Sequence, residues 1–203
     1  MSVKRNIEII RRKISIAQAQ LACSSSAVTI ICVTKNRSFD EICQALDAGI
    51  AHIGENRVQE AEAKKGALRD YVRQKNIPCT FHMIGHLQTN KAAKALSMFD
   101  MIHSVDSLKL YKKINDFSRY QRRSSEVLLE VNTSKEASKF GMNPDELILF
   151  LKKVSEFDSV RVRGLMTMAA FGKNKESARS CFRVLREMRD RINALKEKEE
   201  LPH

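Results

Sequence analysis

Two periods of apolar spacing alternate along this chain. Ile7, Ile10, Ile14, Ala17 and Leu21 recur at helical spacing and predict an amphipathic opening helix. The run "VTIICV", Val28 to Val33, is β-branched, follows the polar "CSSS", and predicts a buried strand. Ser38 with Glu41 fits a capping box, and Ile42, Ala45 and Leu46 continue an apolar stripe, so a helix is expected to begin three residues after Lys35. The alternation then repeats: "AHIG", a helix over Asn56 to Lys75, "TFHMIG", a helix from Thr89, "MIHSV", a helix from Asp106 or Ser107, and "EVLLEVN". Asn143, Pro144, Asp145 and Glu146 read as an N-cap, a proline at the first helical position, and acids where the helix dipole favours them. After "VRVRGLMTM", the residues Ala178, Cys181, Phe182, Leu185, Met188, Ile192 and Leu195 form the apolar stripe of a charged final helix. The sum is six strand–helix units after the opening helix.

Strict strand–helix alternation predicts an α/β protein with a parallel sheet and right-handed crossovers, either open and doubly wound or closed into a barrel. Periodicity alone leaves both open. At 203 residues, one domain is the default, with enough chain for a substantial core. No apolar run reaches the length of a signal peptide or membrane span, which reads as a cytoplasmic protein without membrane attachment. Cys23, Cys32, Cys43, Cys79 and Cys181 are scattered without metal-ligand spacing and read as buried free thiols. A net charge of +12 favours contact with phosphates and other anions but is silent about fold.

In either architecture, ligands collect at the carboxyl ends of the strands. There the chain places Thr34 and Lys35; Gly54, Glu55 and Asn56; Gly85, His86 and Gln88; Ser104 and Asp106; Asn132, Thr133 and Ser134; Thr167 and Met168. A lysine leaving an apolar strand into a partly dry mouth would hold a free amine able to condense with an aldehyde; the alternative is a solvated strand end. Asn56 can bond a ring substituent or join Glu55 as an electrostatic partner of the amine, or simply cap the next helix. His82 and His86 are four apart on a strand broken by Gly85, so no metal pair is expected; His86 lines the mouth, while His82 and His103 face core or sheet. Met166 and Met168 bracket Thr167, where barrel filling competes with a cofactor contact. "VNTSKEASKFGMNPDE" is a long polar connection, either a flap or a solvated loop, with Gly141 supplying a turn.

Taken together, "VTKNR", "IGENRVQEAEAK", "FHMIGHLQTNK", "HSVDS", "VNTSKEASKFGM" and "RGLMTM" occur in an order that resembles the pyridoxal 5'-phosphate homeostasis protein family. The resemblance implies a TIM-type (β/α) barrel like the N-terminal domain of alanine racemase, covering residues 1–203 as a single pyridoxal-phosphate-binding domain. It implies that Lys35 holds the cofactor as an internal aldimine, that Asn56 lies by the ring, and that His86 and Met166 belong to the cofactor-binding set. It further implies a carrier that helps maintain vitamin B6 and amino/keto-acid balance with little or no catalysis, transferring cofactor to apo-enzymes as a monomer.

In the family, a seventh strand with a G-M-S-x-D type motif and an eighth with R-I-G hold the cofactor phosphate, whereas this sequence stops at "KEKEELPH". The resemblance therefore implies truncation before strands 7 and 8, bare strand edges and weakened cofactor affinity. Two rival functions are kept. Basic runs such as "KRNIEIIRRK" and "RYQRR" suit a nucleic-acid or ribosome-binding surface, although no specific nucleic-acid module is found and aromatics are only 6%, few for base stacking. A Lys-dependent racemase or aldolase would use the same amine.

Overall fold

The computed structural model describes residues 2–20, 28–134, 136, 139–169 and 175–201. They fall into two compact units, Met1–His82 and Met83–His203.

The first unit contains α1 (Val3–Gln20), β1 (Cys32–Val33), α2 (Phe39–Asp47), β2 (His52–Glu55), α3 (Val58–Gln74) and all but the last residue of β3 (Thr80–Met83), with its strands in the order β1-β2-β3. The capping box is formed. Ser38 Oγ accepts from the Glu41 amide at 3.2 Å while Glu41 Oε2 accepts from the Ser38 amide at 2.9 Å, the bond that chiefly holds the Glu41 carboxyl below its usual range. Ile42, Cys43, Ala45 and Leu46 of α2 are buried. At its C-terminus Gly49 turns the chain with φ +81°, and Arg11 from α1 donates to the carbonyls of Ala48 and Gly49 at 3.1 and 2.8 Å.

Several expectations about this unit need correction. On α1 only Ile7 is buried, packed with Ala45 and Ile50; Ile14 is half-buried, and Ile10 and Ala17 are exposed. Leu21 lies outside the described residues. The helix therefore buries one residue, not a full stripe. The strand expected over Val28–Val33 is two residues long, with Val28 and Val33 exposed. Within the unit it pairs only with β2, Cys32 opposite Ile53 and Val33 opposite Gly54, so it gains few ladder bonds and little cover. Asn56 caps nothing: α3 starts after Arg57, without a side-chain cap.

The second unit contains α4 (Ala92–Leu96), β4 (Met101–Val105), α5 (Leu108–Tyr120), β5 (Ser125–Glu130), α6 (Leu147–Val154), β6 (Val160–Met166) and α7 (Lys175–Glu197), in the strand order β4-β5-β6. Both pairings are parallel, each with one register irregularity. The helix expected from Thr89 opens as a 3-10 turn over Thr89–Lys91. Ser107 caps α5, and Asn143 Oδ1 accepts from the Asp145 amide at 3.1 Å before the turn into α6. The core joins Ile102, Val105, Leu110, Ile114, Val127 and Leu129, with Tyr111 against Phe150 and Phe157. Burial raises the Tyr111 phenol to about 12. On α7, Cys181 and Ile192 are buried, whereas Phe182 is 54% exposed, so the covered stripe is narrower than its spacing suggests.

His82 and His103 are buried, as expected, and His82 Nε2 lies 2.9 Å from His52 Nδ1. Cys32, Cys43, Cys79 and Cys181 are free thiols, Cys32 and Cys79 only half-buried; Cys23 lies outside the described residues. Among the described residues no helix is long and apolar enough to cross a membrane, and no group of three or more His, Cys, Asp or Glu is placed to hold a metal ion.

Candidate functional site

The four expected cofactor residues all stand at carboxyl ends of strands: Lys35 after β1, Asn56 after β2, His86 after β3, and Met166 as the last residue of β6. Lys35 and Asn56 belong to the first unit, His86 and Met166 to the second.

In the first unit, the Thr34 amide donates to Gly54 O at 3.0 Å, tying the end of β1 to β2. A turn follows, closed by the Arg37 amide on Thr34 O at 3.2 Å, with Asn36 at φ 57°, a conformation asparagine tolerates better than most residues. Lys35 sits exposed in this turn, and Asn56 is half-buried. The partly dry mouth expected around Lys35 is therefore not what surrounds it, because the two-residue strand hands over at once to an exposed turn. Glu55 is also not the partner of Lys35. Its Oε1 accepts from Thr34 Oγ1 at 2.6 Å and from Lys64 Nζ at 3.1 Å. Lys64 also donates to Thr34 O at 2.8 Å and to Glu60 Oε1 at 2.7 Å. Burial opposes its charge, but the bonds to Glu60 and Glu55 outweigh it and raise the ammonium above its ordinary range; the bond from Lys64 in turn lowers Glu60. Sequence reasoning missed Lys64, although its spacing of four from Glu60 on one helix was a signal.

In the second unit, His86 stacks on Phe140 with ring centroids 3.7 Å apart and pairs with Asp106 through Nδ1 at 3.4 Å. Asp106 bears on Glu130, the last residue of β5, whose carboxyl is raised to about 7 by burial first and by Asp106 second. Glu130 Oε2 and the fully buried Ser104 Oγ have no hydrogen-bond partner among the described residues. Glu130 is opposite Met166 in the β5–β6 register. His86 pairs with Asp106, Asp106 acts on Glu130, and Glu130 shares its register position with Met166. Glu130 also escaped notice; its signal was an acid ending an otherwise apolar buried run. The long polar connection returns to the strand end, with the Met142 amide on Glu130 O at 2.8 Å and the Asn132 amide on Met142 O at 3.0 Å. Gly141 makes that turn at φ +113°, where a Cβ would lie 2.6 Å from the Asn132 nitrogen.

Parallel strands with helical crossovers and a polar set at their carboxyl ends define an α/β protein of the parallel-sheet class. The chain belongs to the family of alanine racemase N-terminal domains, whose model matches residues 3–203. It is 34% identical over 170 residues to the pyridoxal phosphate homeostasis protein of Pasteurella multocida (strain Pm70), covering 84% of this chain and 71% of that one. Among solved structures, it is similar to PipY of Synechococcus elongatus PCC7942 with PLP bound, at 33% identity and a TM-score of 0.74 over 90% of this chain and 82% of that one. A protein of unknown function from Bifidobacterium adolescentis matches at 35% identity and a TM-score of 0.88, over 95% of this chain and 79% of that one. The α/β fold of alanine racemase N-terminal type, expected from the motifs, is the fold observed.

Proposed function

We propose that residues 1–203 form one pyridoxal-phosphate-binding domain that holds the cofactor on Lys35 and serves vitamin B6 and amino/keto-acid homeostasis in the cytoplasm. Lys35 would hold pyridoxal phosphate through its amine, for which the bound cofactor would supply an aldehyde, water being the product lost on condensation. The observation carrying the reading is the contrast between two lysines of the first unit. All three N–H donors of the Lys64 ammonium are committed, to Thr34 O, Glu55 and Glu60, so its nitrogen offers no lone pair. Lys35 Nζ has no partner among the described residues and stands in an exposed turn. Asn56 offers an amide suited to a ring hydroxyl, and His86 and Met166 complete the proposed set.

The exposure of Lys35 also favours a carrier over a catalyst. A reagent meant to turn over substrate is kept from water, whereas a cofactor that must leave for an apo-enzyme needs water to reach the Schiff base carbon and hydrolyse it. The names of the relatives support the same reading. Incubation with pyridoxal phosphate should produce a visible absorbance band, and borohydride should fix the label on the Lys35 peptide. Absence of label there, or equal labelling of Lys35→Ala, refutes the reading. Steady turnover of amino acids by the pure protein, lost in Lys35→Ala, would replace the carrier by a racemase-type enzyme.

A further inference from the structure

The two peptide groups flanking Lys35 are both bonded to a single ionic cluster on α3 and β2. The carbonyl of the 34–35 peptide accepts from Lys64 Nζ at 2.8 Å. The amide of the 35–36 peptide donates to Glu60 Oε1 at 2.6 Å. Lys64 and Glu60 are joined to each other at 2.7 Å, one helical turn apart, and Lys64 is joined to Glu55 at 3.1 Å. Thr34 Oγ1 adds a third tie, to Glu55. Two strand residues alone could not hold such a turn, since β1 contributes only Cys32 and Val33 to the ladder.

From this geometry we infer that Lys64, with Glu60, is a positioning residue for Lys35: the cluster clamps both peptides of the reactive residue and sets where its amine can reach. The inference rests on the reading of Lys35 as the Schiff-base residue. It assigns Lys64 no chemistry of its own, only the placement of a neighbour's Cα. Lys64 has a second role beside the first. Glu55 is buried and its Oε2 has no partner among the described residues, and Lys64, at 3.1 Å from Oε1, compensates this carboxylate inside the protein.

The two roles separate experimentally. Lys64→Met should weaken pyridoxal phosphate binding by roughly 10- to 100-fold, the cost of misplacing a reacting group by about an ångström, while the borohydride label stays on Lys35. Adding Glu55→Gln removes the uncompensated carboxylate, so the double variant should regain thermal stability without regaining affinity. Affinity unchanged in Lys64→Met, or affinity restored together with stability in the double variant, overturns the inference. Should Lys64→Met fail to fold, Glu60→Gln decides, because that carboxylate lies nearer the surface: affinity must fall several-fold, and the Asn36 amide hydrogen must exchange faster. If unmodified protein never labels at Lys35, the functional reading fails by itself. The clamp is then judged on Asn36 exchange alone, where a rate in Glu60→Gln equal to that of unmodified protein refutes it.

Discussion

Replacing Glu130 by glutamine should stabilise the protein at neutral and alkaline pH, although it deletes a charge from a basic protein. The carboxyl has an ordinary value of 4.5 and is raised to about 7 in the fold, by burial first and by Asp106 second. The sign follows from proton binding. Between these two values the unfolded chain has released the proton while the folded chain retains it, so stability falls as pH rises through the window and the loss persists above it. The span corresponds to at most about 3 kcal/mol at about 1.4 kcal/mol per pH unit, a large part of a typical folding free energy. Glutamine keeps the shape without the charge and escapes the loss. The two proteins should therefore be nearly equal in stability near pH 4 and diverge towards pH 8, in favour of Glu130→Gln, by a difference worth roughly 6–12 °C in melting temperature. Hydrogen exchange of the β4, β5 and β6 amides reports the affected unit directly, and comparing the two proteins cancels every other titration. Parallel pH profiles, with no divergence between pH 4.5 and 7, would refute the reasoning that Glu130 is buried without a compensating partner.

Three further outcomes are expected. Ser38→Ala opens the capping box of α2 and should cost about 1 kcal/mol in thermal or urea denaturation; a loss within error would mean the 3.2 Å bond contributes nothing. Gly141→Ala should destabilise by roughly 1–3 kcal/mol, since an alanine at φ +113° would press on the Asn132 backbone, and hydrogen exchange at Met142 should rise with it. Ile114→Ala should cost about 2–5 kcal/mol at a fully buried site, whereas Phe182→Ser, on the same apolar spacing but 54% exposed, should stay within about 0.5 kcal/mol. Equal effects of those last two changes would contradict the burial that distinguishes them.

The order of elements was legible from the chain because it is written in short-range patterns. Ser38 and Glu41, Ser107, and Asn143 before Pro144 all cap where their spacing says they should, each satisfying an amide two or three residues away. Less was legible wherever partners had to be counted. Ile10 and Phe182 lie on good helical stripes, yet among the described residues they remain 45% and 54% exposed. Val28–Val33 has the composition of a buried strand, yet among the described residues it has one strand neighbour and forms two residues of ladder.

By itself, then, the amino-acid sequence determined the alternation of strands and helices, their caps, and the placing of Lys35, Asn56, His86 and Met166 at strand ends, since these depend on residues near one another along the chain. Only the tertiary structure decided which lysine is bound and which has no partner among the described residues. Lys64 meets Thr34 across 30 positions and Glu55 across nine, and no local pattern records either meeting. The raised carboxyl of Glu130 has the same origin: burial first, and a like charge from another strand end second, push it up to about 7, a shift no local pattern of the chain records.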